Sequence, residues 1–211
     1  MSANKVGKLA YWYLRLNGYF TVEDFSLHPD TKNDRGTDAD LLAVRFPFSQ
    51  ENPGRHCFER DTSLIIPQGI DFLLVEVKAG ICYINSTTWG NPKEAHVQYA
   101  LRWIGFWDSE KEINEIAAEI YETGMWTNQN ATVRFCCIGK EENFDLQAAH
   151  PKLVQKSLSH VVDFVRQRFT HQCLQIHHEN WDTFCQEFAE RSKKNHATTQ
   201  DLLDWILDQG A

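Results

Sequence analysis

What the chain lacks narrows its class before any single residue is singled out. No apolar run comes near the ~18 residues that a membrane-spanning helix needs, and Met1–Lys8 carries no mark of a secretory leader. A cytoplasmic protein with no membrane partner is the expectation. The six cysteines (57, 82, 136, 137, 173 and 185) include no Cys-x-x-Cys pair, so the usual zinc spacing is missing and free thiols are expected. Cys136 and Cys137 are adjacent in a strand-like run, so they point to opposite faces and cannot share a metal. Basic residues are short as well: 21 against 29 acidic, a formal charge of −8. That balance is awkward for a freestanding nucleic-acid binder, which needs positive surface against phosphates. A local basic face can coexist with that charge, and the balance favours a narrow substrate choice or help from a partner. Internal repeats and low-complexity segments are also missing.

What is present fits an ordinary soluble α/β protein. At 211 residues with 42% hydrophobic and 24% charged content, the chain can bury one sizeable core. Two stretches carry most of the chemical information: Gly36-Thr-Asp-Ala-Asp40-Leu-Leu-Ala-Val44 and Asp71-Phe-Leu-Leu-Val-Glu76-Val-Lys78. Each is a Val/Leu-rich run that reads as a buried strand. Buried strands exclude ionised side chains unless these are paired or bound to metal. Yet Asp40 opens one run, and Glu76 and Lys78 close the other. Glu76 and Lys78 share a strand face, roughly 6.6–6.8 Å apart, while Val75 and Val77 supply packing on the other face. If the strands are neighbours, Asp40 faces Glu76 across a gap that suits a divalent cation. Such a site requires the two carboxylates to lie within about 8 Å of each other. Asp38 shares a face with Asp40, but the apolar run starts directly after Asp40, which favours Asp40.

An acid opening one strand and Glu-x-Lys ending the next resembles the PD-(D/E)xK nuclease superfamily, with its restriction-endonuclease-like fold. The resemblance covers roughly residues 5–140. It implies an α/β fold with a restriction-endonuclease-like core: a central mixed sheet of four to five strands flanked by helices, with additional C-terminal helices. It also implies Mg²⁺ (or Mn²⁺) held by Asp40 and Glu76, with Lys78 assisting the attacking water. Gln98, followed by Tyr99, matches the Gln that in many members faces the metal site from the next helix. A solvated helix face explains Gln98 equally well. The activity implied is endonuclease hydrolysis of phosphodiester bonds in DNA, and a role in defence or repair follows only by analogy. In many members an acid on the first helix joins the site, but here the matching turn is Leu9-Ala10-Tyr11-Trp12. Glu23 on the following strand is either a substitute or a solvated side chain. The missing acid and the negative charge leave a second reading: a degenerate relative that binds nucleic acid or a protein without cutting.

The remaining pattern fills in the architecture. Residues 4–17 are expected to form a helix ended by Gly18, and 19–27 a strand. Pro47–Pro67 is a long polar connection in which Arg55, His56 and Arg60 are candidate phosphate contacts. Helices are expected over 92–107, 112–123 and 151–169, with a strand over 131–138. Lys152, Lys156, Arg166 and Arg168 lie off the apolar stripe of the 151–169 helix and suggest a basic face. Trp103 and Trp107 fall at core-compatible positions. Leu174–Ile176 suggests an edge strand, and His171, His177 and His178 have poor spacing for a metal. Residues 1–150 are read as the nuclease-like core and 151–211 as a C-terminal helical part packed on it. Trp181, Phe184 and Phe188 suggest a helix over 179–191, and the capping box at Thr198 opens a last one. These aromatic helices offer a third reading, in which 151–208 bury against a protein partner or a second subunit.

Overall fold

The Val- and Leu-rich runs pair into a mixed six-stranded sheet with helices on both faces in the computed structural model, which describes residues 5–27, 37–49, 60–66, 68–87, 89–171, 181–194 and 197–208. The chain opens with α1 (Lys5–Leu16), which ends at Gly18 in the left-handed conformation that glycine adopts freely. Strands β1 (Phe20–Leu27), β2 (Thr37–Arg45) and β3 (Ile70–Val77) follow as an antiparallel meander. The crossover carries α2 (His96–Ile104) and α3 (Glu110–Thr123) and leads past β4 (Met125–Thr127) to β5 (Ala131–Gly139), which lies parallel to β3. Parallel neighbours need such a crossover. Beyond α4 (Phe144–Ala149), β6 (Val154–Ser157) joins the sheet. It shares one edge of β5 with β4: β4 runs antiparallel along Thr132–Arg134, and β6 runs parallel along Cys136–Gly139. Helices α5 (Leu158–His171), α6 (Thr183–Ser192) and α7 (Thr199–Leu207) complete the described chain.

Strand alternation divides the core in two. Leu73 and Val75 of β3 pack with Leu9, Tyr13 and Leu14 of α1 and with Val161, Phe188 and Ile206 of the last three helices. Phe72 and Leu74 point the other way, to Val97 and Leu101 of α2 and Ile116 and Ile120 of α3. Cys136 and Cys137 split between the same two cores, as adjacent strand residues must. A fully buried leucine contributes about 1.5–3 kcal/mol by leaving water. Both cores are therefore needed to hold β3, and β3 carries the candidate site.

Several expectations are corrected. The described sheet has six strands, not four to five, because β4 and β6 are too short to show a period. The stripe read as a helix over 151–169 is strand up to Ser157 and helix only from Leu158. Val154 and Leu158 keep helical spacing across that junction, which disguised it. The segment read as a helix over 92–107 begins as a short 3₁₀ turn at Pro92–Glu94. Left-handed Ala95 (φ 54) breaks it, and α2 stops at Gly105 (φ 67). Trp103 is exposed, not core. The expected basic face does not form: Arg168 is buried, and Lys156 pairs with Asp61 at 3.5 Å. Trp181, Phe184 and Phe188 are buried inside the protein against α1, α5 and Trp205, so they are not free to cover a partner. Arg55, His56, Cys57, Leu174–Ile176, Cys173, His177, His178 and the His171 side chain lie outside the described residues.

Candidate active site

The sheet brings Asp40, Glu76 and Lys78 together. Leu41 pairs with Val75, so the register carries Asp40 to the position across from Glu76, just past the last ladder pair. There the Asp40 carboxylate takes over from the backbone and accepts a hydrogen bond from Val77 N–H at 2.7 Å. That bond pins Asp40 to the end of β3. Asp38 is instead bound by Ser26 Oγ at 2.5 Å, so Asp40 is the acid at the site.

Lys78 bridges the two carboxylates. Its Nζ donates to Glu76 Oε2 and lies 3.7 Å from Asp40 Oδ2. Both oxygens meet one nitrogen, so the two carboxylates converge on the single point that the ammonium occupies. The backbone N–H of Lys78 donates to Ile138 O at 2.8 Å, and its ammonium stands 4.8 Å from the centre of the Tyr83 ring. The pair is graded in burial: the Glu76 side chain is 7% exposed and that of Asp40 is 42%. The site is thus a mouth with a dry floor.

Electrostatics follow the same gradient. Burial pushes the Glu76 carboxyl above its ordinary range, outweighing the bond and charge of Lys78. Burial alone would lower Lys78. The hydrogen bond that it donates to Glu76 and the charges of Glu76 and Asp40 outweigh burial, and Lys78 is held above its usual value. A hard divalent cation fits this donor set: Mg²⁺ is commonly held by one or two carboxylates, with waters and substrate phosphate completing its shell. Among the described residues, no group of three or more His, Cys, Asp or Glu side chains is placed to hold a metal. Asp40 and Glu76 are the two carboxylates that converge at this point.

The other candidates lie elsewhere. Gln98 Oε1 accepts from Tyr121 Oη at 3.5 Å and makes no hydrogen bond to Asp40, Glu76 or Lys78. Glu23 is engaged by Lys8 of α1 at 2.7 Å. Asp24 explains why. Facing Asp40 in the β1–β2 register, it takes the left-handed backbone (φ 48), which Asp tolerates better than most residues. The strand alternation breaks there, so Glu23 reaches α1 while Phe25 turns to the opposite core and Trp103. Arg60 donates to Ser49 O.

Two polar clusters at the other end of the sheet escaped the sequence reading. Asp71 is wholly buried and accepts from Arg134 Nε at 3.1 Å and Nη2 at 2.7 Å, from Arg45 Nη2 at 3.1 Å and from Tyr19 Oη. Asp61 accepts from Tyr13 Oη at 2.6 Å, from Ser63 N–H at 3.0 Å and from His160 Nε2. Asp71 joins β2, β3 and β5 to Tyr19, and Asp61 joins Tyr13 of α1 to His160 of α5. Ionisable residues inside apolar strands (Arg45, Asp71, Arg134) were the available signal.

Comparison with protein-family models, curated proteins and solved structures found no match.

Proposed function

We propose that this protein is a Mg²⁺-dependent nuclease of the PD-(D/E)xK type, with a restriction-endonuclease-like core, hydrolysing phosphodiester bonds in DNA. The observation that carries the proposal is the convergence of Asp40, Glu76 and Lys78 at one end of β2 and β3. Support comes also from the element order, one helix, three antiparallel strands, a helical crossover and a parallel strand. A cation held by Asp40 and Glu76 would supply Lewis acidity toward the phosphoryl oxygen. The chain's own residues do the rest. Asp40, at the mouth, meets the incoming ligand first. Glu76, on the buried floor beside Lys78, would be the second protein ligand of the cation. Lys78 turns its ammonium to the attacking water and to the charge that develops on the phosphate.

One observation favours a second reading. The Lys78 ammonium already contacts both carboxylates, as it would in a degenerate relative that binds nucleic acid or protein without cutting. One experiment separates the two: incubation of supercoiled, linear and single-stranded DNA with Mg²⁺ or Mn²⁺, comparing wild type with Glu76→Ala. Metal-dependent cutting by wild type that falls at least about 100-fold in the variant is the result expected, the usual scale for losing a catalytic group. No cutting by either protein, with DNA binding retained, would overturn the nuclease reading and leave the degenerate binder.

A further inference from the structure

The α2–α3 layer packs on β3 and β5 and meets β1 at Phe25 through Trp103, while Phe20 and Val22 of β1 stay exposed. Over β1 and β2 runs an open apolar groove, about 270 Å³, lined by Phe20, Val22, Leu42, Val44, Phe72 and Trp103. Its walls stand in solvent: Phe20 is 66% exposed, Trp103 63% and Val22 51%. Phe46 packs edge-on against Phe20, and Phe106 lies beside Phe72, each about half exposed. Among the described residues β1 pairs only with β2, so the groove borders a free sheet edge.

From this face we infer that the protein forms a homodimer, a second copy of the chain packing its own β1–Trp103 patch against the first about a two-fold axis. Area is the first argument. At 150–250 Å² per aromatic side chain, these exposures leave roughly 400–600 Å² of apolar surface in water per chain. Two copies bury roughly 800–1,200 Å², and a polar rim brings the contact to the lower bound of specific interfaces. Charge is the second. None of the residues lining the groove is ionisable, so it has nothing to offer a phosphate backbone. Each copy carries a net charge of −8, so two copies meet most easily where neither presents a carboxylate. An isologous contact needs only one such patch. The inference rests on the groove's own lining and not on the nuclease reading, although Phe25 and Leu42 bring the groove to the strand positions beside Asp40. Contacts at the low end of the size range tend to be weak and transient, so the micromolar range is the one to test.

Sedimentation velocity of the full chain over about 1–100 μM, spanning that range, tests the inference. Wild type is expected to pass from monomer to dimer, while Val22→Glu and Trp103→Glu each weaken association at least 10-fold, with circular dichroism and melting temperature unchanged. Val22 is half exposed, so Val22→Glu keeps the fold and decides the test, whereas Trp103 also packs edge-on against Phe25 and its variant counts only at an unchanged circular dichroism spectrum. As a check without substitution, amide exchange in β1 should slow as wild-type concentration rises. A wild type that stays monomeric throughout would overturn the inference and assign the patch to a different protein. A dimer unaffected by both substitutions would overturn it too, by placing the contact elsewhere.

Discussion

Replacing Asp71 by Asn tests how the structure balances charge beneath the sheet. One carboxylate there serves two guanidiniums and a phenol, so the cluster carries one surplus positive charge. Arg134 holds the better share, with two bonds to Asp71, and is kept above its ordinary value despite burial. Burial pushes Arg45 down instead; its other partners are carbonyl oxygens of Asn17 and Leu64. Asp71→Asn would turn an amide donor toward guanidinium donors and leave two buried cations unmatched. Breaking a buried pair in this way costs about 3–5 kcal/mol. For a chain of this size that is roughly 6–20 °C in Tm. Urea unfolding followed by circular dichroism should show a lower midpoint at unchanged slope. Arg45→Met is the control: it removes the surplus charge, leaves the Asp71–Arg134 pair balanced, and should cost clearly less than Asp71→Asn. A cost below about 1 kcal/mol for Asp71→Asn, the level of an exposed pair, would refute the reasoning. So would a larger loss from Arg45→Met.

Two further outcomes follow from the same geometry. Burial alone would raise the Asp61 carboxyl, but hydrogen bonds from His160, Tyr13 and Ser63 hold it well below its ordinary 3.8. Its contribution to stability is therefore present above that value and lost as the pH falls through it toward the folded-state value. Unfolding midpoints measured between pH 7 and pH 3 should drop for wild type, with a shallower drop for Asp61→Asn. At the start of α7, Thr198 and Asp201 form a reciprocal cap, with Asp201 N–H donating to Thr198 Oγ1 at 3.1 Å and Thr198 N–H to Asp201 Oδ2 at 2.8 Å. Thr198→Ala should cost about 1 kcal/mol in denaturant unfolding.

The candidate site was legible because its signal is local. Glu76 and Lys78 share a face by two-residue spacing, and Asp40 opens an apolar run whose register with β3 follows from the strands' own pattern. The clusters around Asp71 and Asp61 were not legible. Arg45 and Arg134 reach Asp71 from 26 and 63 positions away, and His160 reaches Asp61 from 99. No window of sequence contains both partners. The strand β6 was hidden for a different reason: a four-residue strand running straight into α5 keeps apolar residues at helical spacing. The position of Trp103 depended on where α2 lies over the sheet. Periodicity names an apolar side chain but cannot say whether a second layer covers it.

The contact of α1 with α7 has a consequence in time. Lys5 Nζ donates to Trp205 O at 2.9 Å, across 200 positions of chain. At 5–20 residues per second, α7 is translated roughly 10–40 s after α1. Throughout that interval Leu9, Tyr13 and Leu14 lack Ile206 and the other late partners with which they share a core. Nascent chains therefore display an adhesive helix long before the residues that shield it exist. Slow or interrupted translation would lengthen that exposure, making the yield of folded protein sensitive to elongation rate and to chaperones that recognise apolar helices.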